Sequence, residues 1–242
     1  MAVVARRTLS LEAEGRAWER CGLTPAELGA LDVACAVDGA PGRRSLIEPP
    51  TALNALAAEL LPGARPVRVV VFNKTEANNW TLPWHQDRVI ALRERIETPG
   101  FTNWTNKAGI WHAEPPIELL ERMIFARIHL DPADTENGCL QLALGTHAQG
   151  KIAATDADAV ASATPIENCI AQRGDVLFAK ALILHRSSPS RTTMGRRAIR
   201  IDYCAETLPA PLEWALDPHR SRSNEARHSG ASRSDETGTQ GK

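Results

Sequence analysis

The chain has 242 residues, of which 43% are hydrophobic and 24% are charged, and its 28 basic side chains nearly balance its 29 acidic ones. This length is enough for one sizeable hydrophobic core, and the charge balance gives no sign of a nucleic-acid or anionic-membrane partner. No apolar run approaches the roughly 18 residues of a membrane span, and the first residues lack the hydrophobic stretch of a signal peptide. We therefore expect a soluble protein.

The cysteines point to a reducing compartment. There are five of them, an odd number, and they are scattered without a C-x-x-C pair. This pattern predicts neither a disulfide framework nor a zinc knuckle. We expect a cytoplasmic protein, whose oligomeric state the sequence leaves open.

The N-terminal part of the chain predicts a helical layer that extends to about residue 65. Residues 10–35 and 50–61 have helical patterning. A second helix start is expected at Thr24-Pro25, with Glu27 following, and the later helix should begin after the proline pair that precedes Thr51.

Short β-rich segments separated by turn residues then predict a mainly β core over about residues 66–206. Asn137-Gly138 predicts a hairpin turn, and Gly174-Asp175 predicts a further turn. Residues 88–116 show little regular patterning, so we expect a loop that covers a pocket. The predicted strands are residues 67–72, 123–130, 139–142, 176–179 and 198–203.

The C-terminal residues differ from the rest in composition. From His219 to Lys242 there is no Val, Ile, Leu, Met, Phe, Trp or Tyr. Such a stretch cannot bury enough apolar surface to offset its ordering entropy. We predict a single domain over residues 1–217 and a disordered polar tail over residues 218–242.

Two histidines and an aspartate form the candidate metal site. His85 and Asp87 lie in the segment Trp84-His85-Gln86-Asp87, and His185 follows an apolar run much further along the chain. Residues i and i+2 of a strand share a face, so His85 and Asp87 could hold one metal, with His185 supplied by an adjacent strand. Two imidazoles and one carboxylate make a facial triad that leaves three iron positions open. A His-x-Asp fragment alone is weak evidence, because it is also typical of a solvated turn.

The residues after His185 add hydroxyl and guanidinium groups. An arginine fork can hold the far carboxylate of a dicarboxylate cosubstrate with two parallel hydrogen bonds. For Arg186 and Arg191, a basic surface loop explains the sequence equally well.

The motifs together resemble the phytanoyl-CoA dioxygenase family of Fe(II)/2-oxoglutarate-dependent oxygenases. The resemblance covers about residues 65–205. It rests on Phe72-Asn73-Lys74, Pro83-Trp84-His85-Gln86-Asp87, Glu136-Asn137-Gly138-Cys139-Leu140, Gly145-Thr146-His147, Gly174-Asp175-Val176 and His185-x-Ser187 with Arg196-Arg197.

The resemblance implies a double-stranded β-helix, or jelly roll, flanked by helices. It implies that His85, Asp87 and His185 bind Fe(II), with 2-oxoglutarate and O2 as cosubstrates. By the same resemblance, residues of the cosubstrate pocket are Arg196, which pairs with the far carboxylate of 2-oxoglutarate, Ser187, which assists, and Arg127, on a strand lining the pocket.

The expected activity is hydroxylation, or another C–H oxidation, of a small organic molecule. Asp87 stands where halogenating relatives carry Ala or Gly, which implies oxygen insertion rather than chlorination. The sequence departs from the family pattern at Ser190-Arg191-Thr192 and matches no motif before Val67.

Two alternatives remain open at this stage. A cupin-like metalloenzyme could use the same triad without 2-oxoglutarate, and would not need Arg196. A non-catalytic jelly-roll binding module could keep the fold without turnover.

Overall fold

Antiparallel β-sheets form the body of the protein in the computed structural model, which describes residues 2–36 and 49–216. The predicted tail, residues 218–242, lies outside the described residues, and the division into domain and tail stays a prediction. Within the described ranges, no helix is both long and apolar enough to cross a membrane.

The secondary-structure elements are described in chain order. The strands are β1 (Arg16–Glu19), β2 (Arg65–Lys74), β3 (Leu82–His85), β4 (Ile90–Leu92), β5 (Thr102–Lys107), β6 (Ile110–Glu114), β7 (Met123–His129), β8 (Leu140–Ala143), β9 (Ile166–Asn168), β10 (Val176–Lys180), β11 (His185–Ser187) and β12 (Arg196–Cys204). The helices are α1 (Ala2–Glu14), α2 (Pro25–Ala36), α3 (Thr51–Leu60), α4 (Ile117–Glu121) and α5 (Ala157–Ser162), with a short 3-10 helix at Thr146–Gln149.

Two sheets face each other to form the predicted jelly roll. The larger has the order β1-β10-β7-β12-β2, and the smaller has the order β3-β11-β8-β9. Phe125 and Leu177 of the larger sheet and Leu142 and Ile183 from the other side share one buried apolar cluster. The expected mainly β fold is confirmed.

Side chains alternate between the two faces of the larger sheet, as strand geometry requires. On β12, Ile199, Ile201 and Tyr203 join the apolar core formed with α1, α2 and α3. The alternate residues Arg196 and Arg200 line a cavity on the other face. The helical layer thus covers one face and leaves the other to form the site.

The predicted helix over residues 10–35 is wrong in its middle. Helix α1 ends before Gly15, which has a φ of 82°, and residues Arg16–Glu19 form an edge strand paired with β10. The pairing partner lies about 160 residues away in sequence, so local patterning could not reveal it. The helix predicted over residues 50–61 is confirmed as α3.

The predicted hairpin at Asn137-Gly138 is also wrong. Strand β7 pairs with β10 and β12, whereas β8 pairs with β9 and β11 in the other sheet. The turn therefore lies in a crossover between sheets. Gly138 does adopt a positive φ of 69°, so the sequence correctly indicated a turn, but this turn does not join two paired strands.

Residues 88–116 are more regular than expected. They include a third antiparallel sheet of order β4-β6-β5. Strand β4 is buried at every position, and the β5–β6 pairing shifts register between Thr102 and Thr105. Both features remove the alternation by which a strand is recognised in sequence.

Candidate metal centre

His85 and His185 lie opposite each other on neighbouring strands. They are directly paired in the antiparallel register of β3 and β11, with ring centroids 4.3 Å apart. Asp87 approaches both: its Oδ2 lies 3.4 Å from Nε2 of His185, and its Oδ1 lies 4.0 Å from Nε2 of His85. One ligand atom from each residue lies within 4.8 Å of the other two, the spacing of groups that could hold one metal ion.

Asp87 reaches this position from outside the strand. Strand β3 ends at His85, so the expectation of two ligands on one strand is not met. Instead, the Gln86 side chain points away and fixes the chain: Nε2 donates to Gly150 O at 2.8 Å and Leu182 O at 2.7 Å, and Oε1 accepts from Ile152 N at 2.9 Å. These bonds orient the backbone so that Asp87 turns back toward the histidines.

Both histidines are held in the tautomer that a metal needs. Nδ1 of His85 lies 2.8 Å from Pro83 O, and Nδ1 of His185 lies 3.0 Å from Ile183 O. A carbonyl oxygen only accepts hydrogen bonds, so each Nδ1 carries the hydrogen and each Nε2 keeps a lone pair facing Asp87. Burial, followed by the nearby His185, lowers the pKa of His85 and favours the neutral ring that binds metals.

Asp87 is held as a carboxylate. Burial alone would raise its pKa, but the charge of Arg200 and the contact with His185 outweigh burial and keep the pKa of Asp87 well below its usual value. Arg200 donates from Nη1 to Asp87, and from Nε to Asp202 Oδ1 at 2.6 Å. Sequence analysis did not identify Arg200, although strand alternation puts it on the same face as Arg196.

A cavity of about 320 Å³ opens beside these three residues. It combines apolar walls with cationic groups, which suits a site for charged small molecules. The lining residues include His85, Asp87, His185, Ser187, Arg68, Arg127, Arg196, Arg200, Lys107, Phe72, Trp80 and Phe125. Of the predicted lid, residues 88–116, only Lys107 is among the described lining residues.

Arg196 and Ser187, both expected in the cosubstrate pocket, line the same cavity. Arg196 is 2% exposed, and its Nη2 donates to Gly138 O at 2.9 Å. The same carbonyl oxygen accepts a second hydrogen bond from Ser187 Oγ at 3.0 Å. Nη1 of Arg196 is buried and has no hydrogen-bond partner among the described residues. Its described hydrogen-bond partners are carbonyl oxygens, so its positive charge is not neutralised there.

Arg127 and Lys74 add positive charge to the same end of the cavity. Arg127 is 6% exposed, its Nε has no partner within the described part of the chain, and burial together with Arg196 lowers its pKa to about 9. Lys74, which sequence analysis quoted only as part of a motif, donates to Ser187 Oγ at 3.1 Å. A buried cation without a counter-ion is unfavourable, so this region fits a bound dianion such as 2-oxoglutarate.

Gly138 gives the backbone the room that this arrangement needs. A Cβ atom at this position would lie 2.2 Å from Ser188 O and 3.1 Å from Lys74 Nζ. Together with the positive φ, this close approach explains why a glycine stands at the crossover whose carbonyl accepts from both Arg196 and Ser187.

Several solved structures share this fold. AviO1 from Streptomyces viridochromogenes matches with 20% identity over 86% of this chain and 97% of its own, at a TM-score of 0.59. SnoN, the non-haem alpha-ketoglutarate-dependent epimerase of nogalamycin biosynthesis, matches with 15% identity over 89% and 87%, at 0.61. HygX from Streptomyces hygroscopicus, solved with nickel, 2-oxoglutarate and hygromycin B bound, matches with 14% identity over 82% and 86%, at 0.56. At these identities the likeness establishes the fold.

The family follows from the sequence match. No curated protein is similar enough to count as a match. The family model for phytanoyl-CoA dioxygenase (PhyH) matches residues 31–198, which is more than half of the chain and includes His85, Asp87, His185 and Arg196. The chain therefore belongs to the phytanoyl-CoA dioxygenase family and is an enzyme of the non-haem Fe(II)/2-oxoglutarate-dependent oxygenase class.

Proposed function

We propose that this protein binds Fe(II) through His85, Asp87 and His185 and uses 2-oxoglutarate and O2 to hydroxylate a small organic molecule. Succinate and CO2 are the expected coproducts. The observation that carries the proposal is the convergence of two Nε2 lone pairs and one carboxylate beside a cavity with unneutralised arginines.

The three side chains supply half of an octahedral coordination sphere. Iron bound there with 2-oxoglutarate and O2 supplies the oxidising chemistry. The protein contributes orientation: the carbonyls of Pro83 and Ile183 fix the rings of His85 and His185, and Arg200 holds the Asp87 carboxylate. The aspartate at position 87 supports oxygen insertion rather than halogenation.

Arg196 is the proposed anchor for the far carboxylate of 2-oxoglutarate. Its free Nη1 can donate to that carboxylate while Nη2 stays on Gly138 O. Ser187 and Arg127 line the same end of the cavity and add a hydroxyl and a second guanidinium. HygX, with 2-oxoglutarate in its crystals, supports this cosubstrate for a shared fold.

The decisive experiment measures metal binding and succinate release together. Purified protein is loaded with Fe(II) and incubated with 2-oxoglutarate, O2 and a panel of small metabolites, and products are searched by mass for a gain of one oxygen. Asp87→Ala should sharply weaken iron retention and abolish succinate release. Asp158→Ala, an exposed aspartate on α5, is the matched control and should change neither.

The outcomes also separate the alternatives. Oxidation of a substrate without succinate, and with Arg196 dispensable, would favour a cupin-like enzyme that does not use 2-oxoglutarate. Protein that retains no iron and releases no succinate would favour a binding module. Undiminished turnover by Asp87→Ala would refute the ligand assignment.

A cytoplasmic location is part of the proposal. All five cysteines are free, and four of them are buried. Free thiols are typical of proteins from reducing compartments. Fractionation of the native host would test this location.

A further inference from the structure

A second cationic group lies further along the same sheet face, next to the metal centre. Strands β12 and β2 are antiparallel, with Arg196 opposite Lys74 and Asp202 opposite Arg68. Arg200 follows Arg196 by four positions on the strand, which places their Cα atoms about 13 Å apart. Arg200 bonds to Asp87 and so lies beside the metal centre. A 2-oxoglutarate molecule that spans from Arg196 to the metal would therefore leave Arg200 and Arg68 unoccupied on the far side of the metal.

We propose that the substrate carries an oxyanion, a carboxylate or a phosphate, and that Arg68 with Arg200 forms its binding site. This inference rests on the proposed function, because it assumes that the Arg196 end of the cavity holds 2-oxoglutarate.

The charges around the cavity leave a positive surplus for the substrate. Two carboxylates lie in or bonded to its lining among the described residues, Asp87 and Asp202. They leave a net charge of +4, and Fe(II) and 2-oxoglutarate then cancel each other. Anionic substrates are attracted by such a field. The six cationic side chains in or bonded to the lining are Arg68, Lys74, Lys107, Arg127, Arg196 and Arg200.

Arg68 has the free donors of the pair. Its Nε is buried without a partner among the described residues, and Nη1 makes only a long contact of 3.4 Å with Asp202. Arg200, in contrast, is held by Asp87 and Asp202. Arg68 therefore supplies the hydrogen bonds to an incoming anion, while Arg200 contributes fixed charge beside the metal.

The apolar residues next to Arg200 indicate what else the substrate carries. Phe125 lies against the Arg200 guanidinium, 4.0 Å from its ring centre, Val70 is opposite Arg200 in the strand register, and both line the cavity. Apolar walls beside a guanidinium suit a molecule with a hydrocarbon or aromatic body and one anionic end. The anionic end at Arg68 would hold this body between the arginine and the metal.

Calorimetric titration of matched probes tests the inference without turnover. Full-length protein is kept anaerobic with Fe(II) and saturating 2-oxoglutarate, and is titrated with benzoate against benzamide and with phenyl phosphate against phenol. At least one anion should bind tenfold or more tightly than its neutral partner. The stronger pair identifies whether the site prefers carboxylate or phosphate.

Variants of Arg68 assign the preference to a residue. Arg68→Gln should lower the affinity for the anion about tenfold while leaving the neutral probe and 2-oxoglutarate unaffected, and Arg68→Lys should retain part of the preference. Arg122→Gln is the matched control, since this arginine is 65% exposed and pairs with Glu206 on the surface. It should behave as wild type.

The inference is overturned if anionic and neutral probes bind equally, if Arg68→Gln weakens both, or if the anion displaces 2-oxoglutarate. Failure of the proposed function is visible separately, when 2-oxoglutarate itself is titrated into the anaerobic Fe(II) protein before the probes and gives no binding heat. In that case the same probes, titrated into metal-free protein, still decide whether Arg68 binds anions.

Discussion

Replacing Arg196 by methionine should separate a ligand-binding role from a structural one. Methionine approximates the length of the side chain but removes the guanidinium. If Arg196 binds the far carboxylate of 2-oxoglutarate, charge-assisted hydrogen bonding worth about 2–4 kcal/mol is lost, which weakens 2-oxoglutarate binding by roughly 30- to 1000-fold. The free energy of unfolding of the ligand-free protein should rise or stay unchanged.

The structure gives the reason for this opposite sign. Arg196 is 2% exposed and its described bonds are to the carbonyls of Asn137 and Gly138. Removing an unneutralised buried charge relieves a desolvation penalty, which offsets the loss of two hydrogen bonds to neutral acceptors. A structural ion pair would behave differently, because breaking it would leave a buried partner uncompensated.

The adjacent residue supplies the control. Arg197 points to the opposite face and bonds to Asp131 at 2.7 Å and to Asp32 at 2.9 Å. Arg197→Met should lower the free energy of unfolding by about 1 kcal/mol and leave 2-oxoglutarate affinity unchanged. Calorimetry of 2-oxoglutarate binding and urea unfolding of the metal-free protein measure both quantities. Wild-type affinity in Arg196→Met, or an equal loss of affinity in Arg197→Met, would refute the reasoning.

Three further predictions concern the supports of the site. Gly138→Ala should lower the free energy of unfolding by about 2 kcal/mol or more in urea titrations, because the new Cβ meets Ser188 O and the positive φ is unfavourable; a loss under about 0.5 kcal/mol would show that the crossover relaxes easily. Gln86→Leu should weaken Fe(II) binding about 10- to 100-fold in metal titrations, since three backbone groups lose their partner; unchanged affinity would mean that Asp87 is placed without it. Burial lowers the pKa of His129 from 6.5 to about 3, so below pH 6.5 the unfolded chain takes up a proton that the folded protein excludes. The free energy of unfolding of the wild type should therefore fall by about 2 kcal/mol between pH 6.5 and 5, and that of His129→Gln should not show this loss. Equal pH dependence in both proteins would contradict this.

Much of the β core could be predicted because the local residue composition of its strands is typical of β-structure. The strands predicted over residues 67–72, 123–130 and 198–203 correspond to β2, β7 and β12, which are rich in β-branched residues. Pairing between distant segments could not be predicted in this way. The edge strand Arg16–Glu19 and the crossover at Gly138 both depend on partners that only the folded chain supplies.

The candidate site likewise has residues that local motifs identify and residues whose role depends on distant contacts. His85, Asp87, His185 and Arg196 could be named because short motifs carry them, and the structure brings the first three together. The part played by Gln86 could not be foreseen, because its acceptors lie at Gly150 and Leu182, remote in sequence. Motifs therefore indicated which groups belong to the site, whereas the means of orienting them depended on tertiary contacts.

The inner face of the larger sheet is hard to explain by packing alone. On β12 the outward residues Ile199, Ile201 and Tyr203 are fully buried against the helical layer, where they stabilise the fold. The inward residues of the same strand include Arg196 and Arg200, both nearly buried. Arg200 is paired with Asp87 and Asp202, but Arg196 has no carboxylate partner among the described residues, and burying such a cation lowers stability unless an anion neutralises it. The outer core must therefore supply the stability that the inner face lacks, and ligands that bring negative charge into the cavity should stabilise the folded protein by mass action. The proposed binding of anions next to a metal would account for this division of one strand between an apolar face and a cationic face.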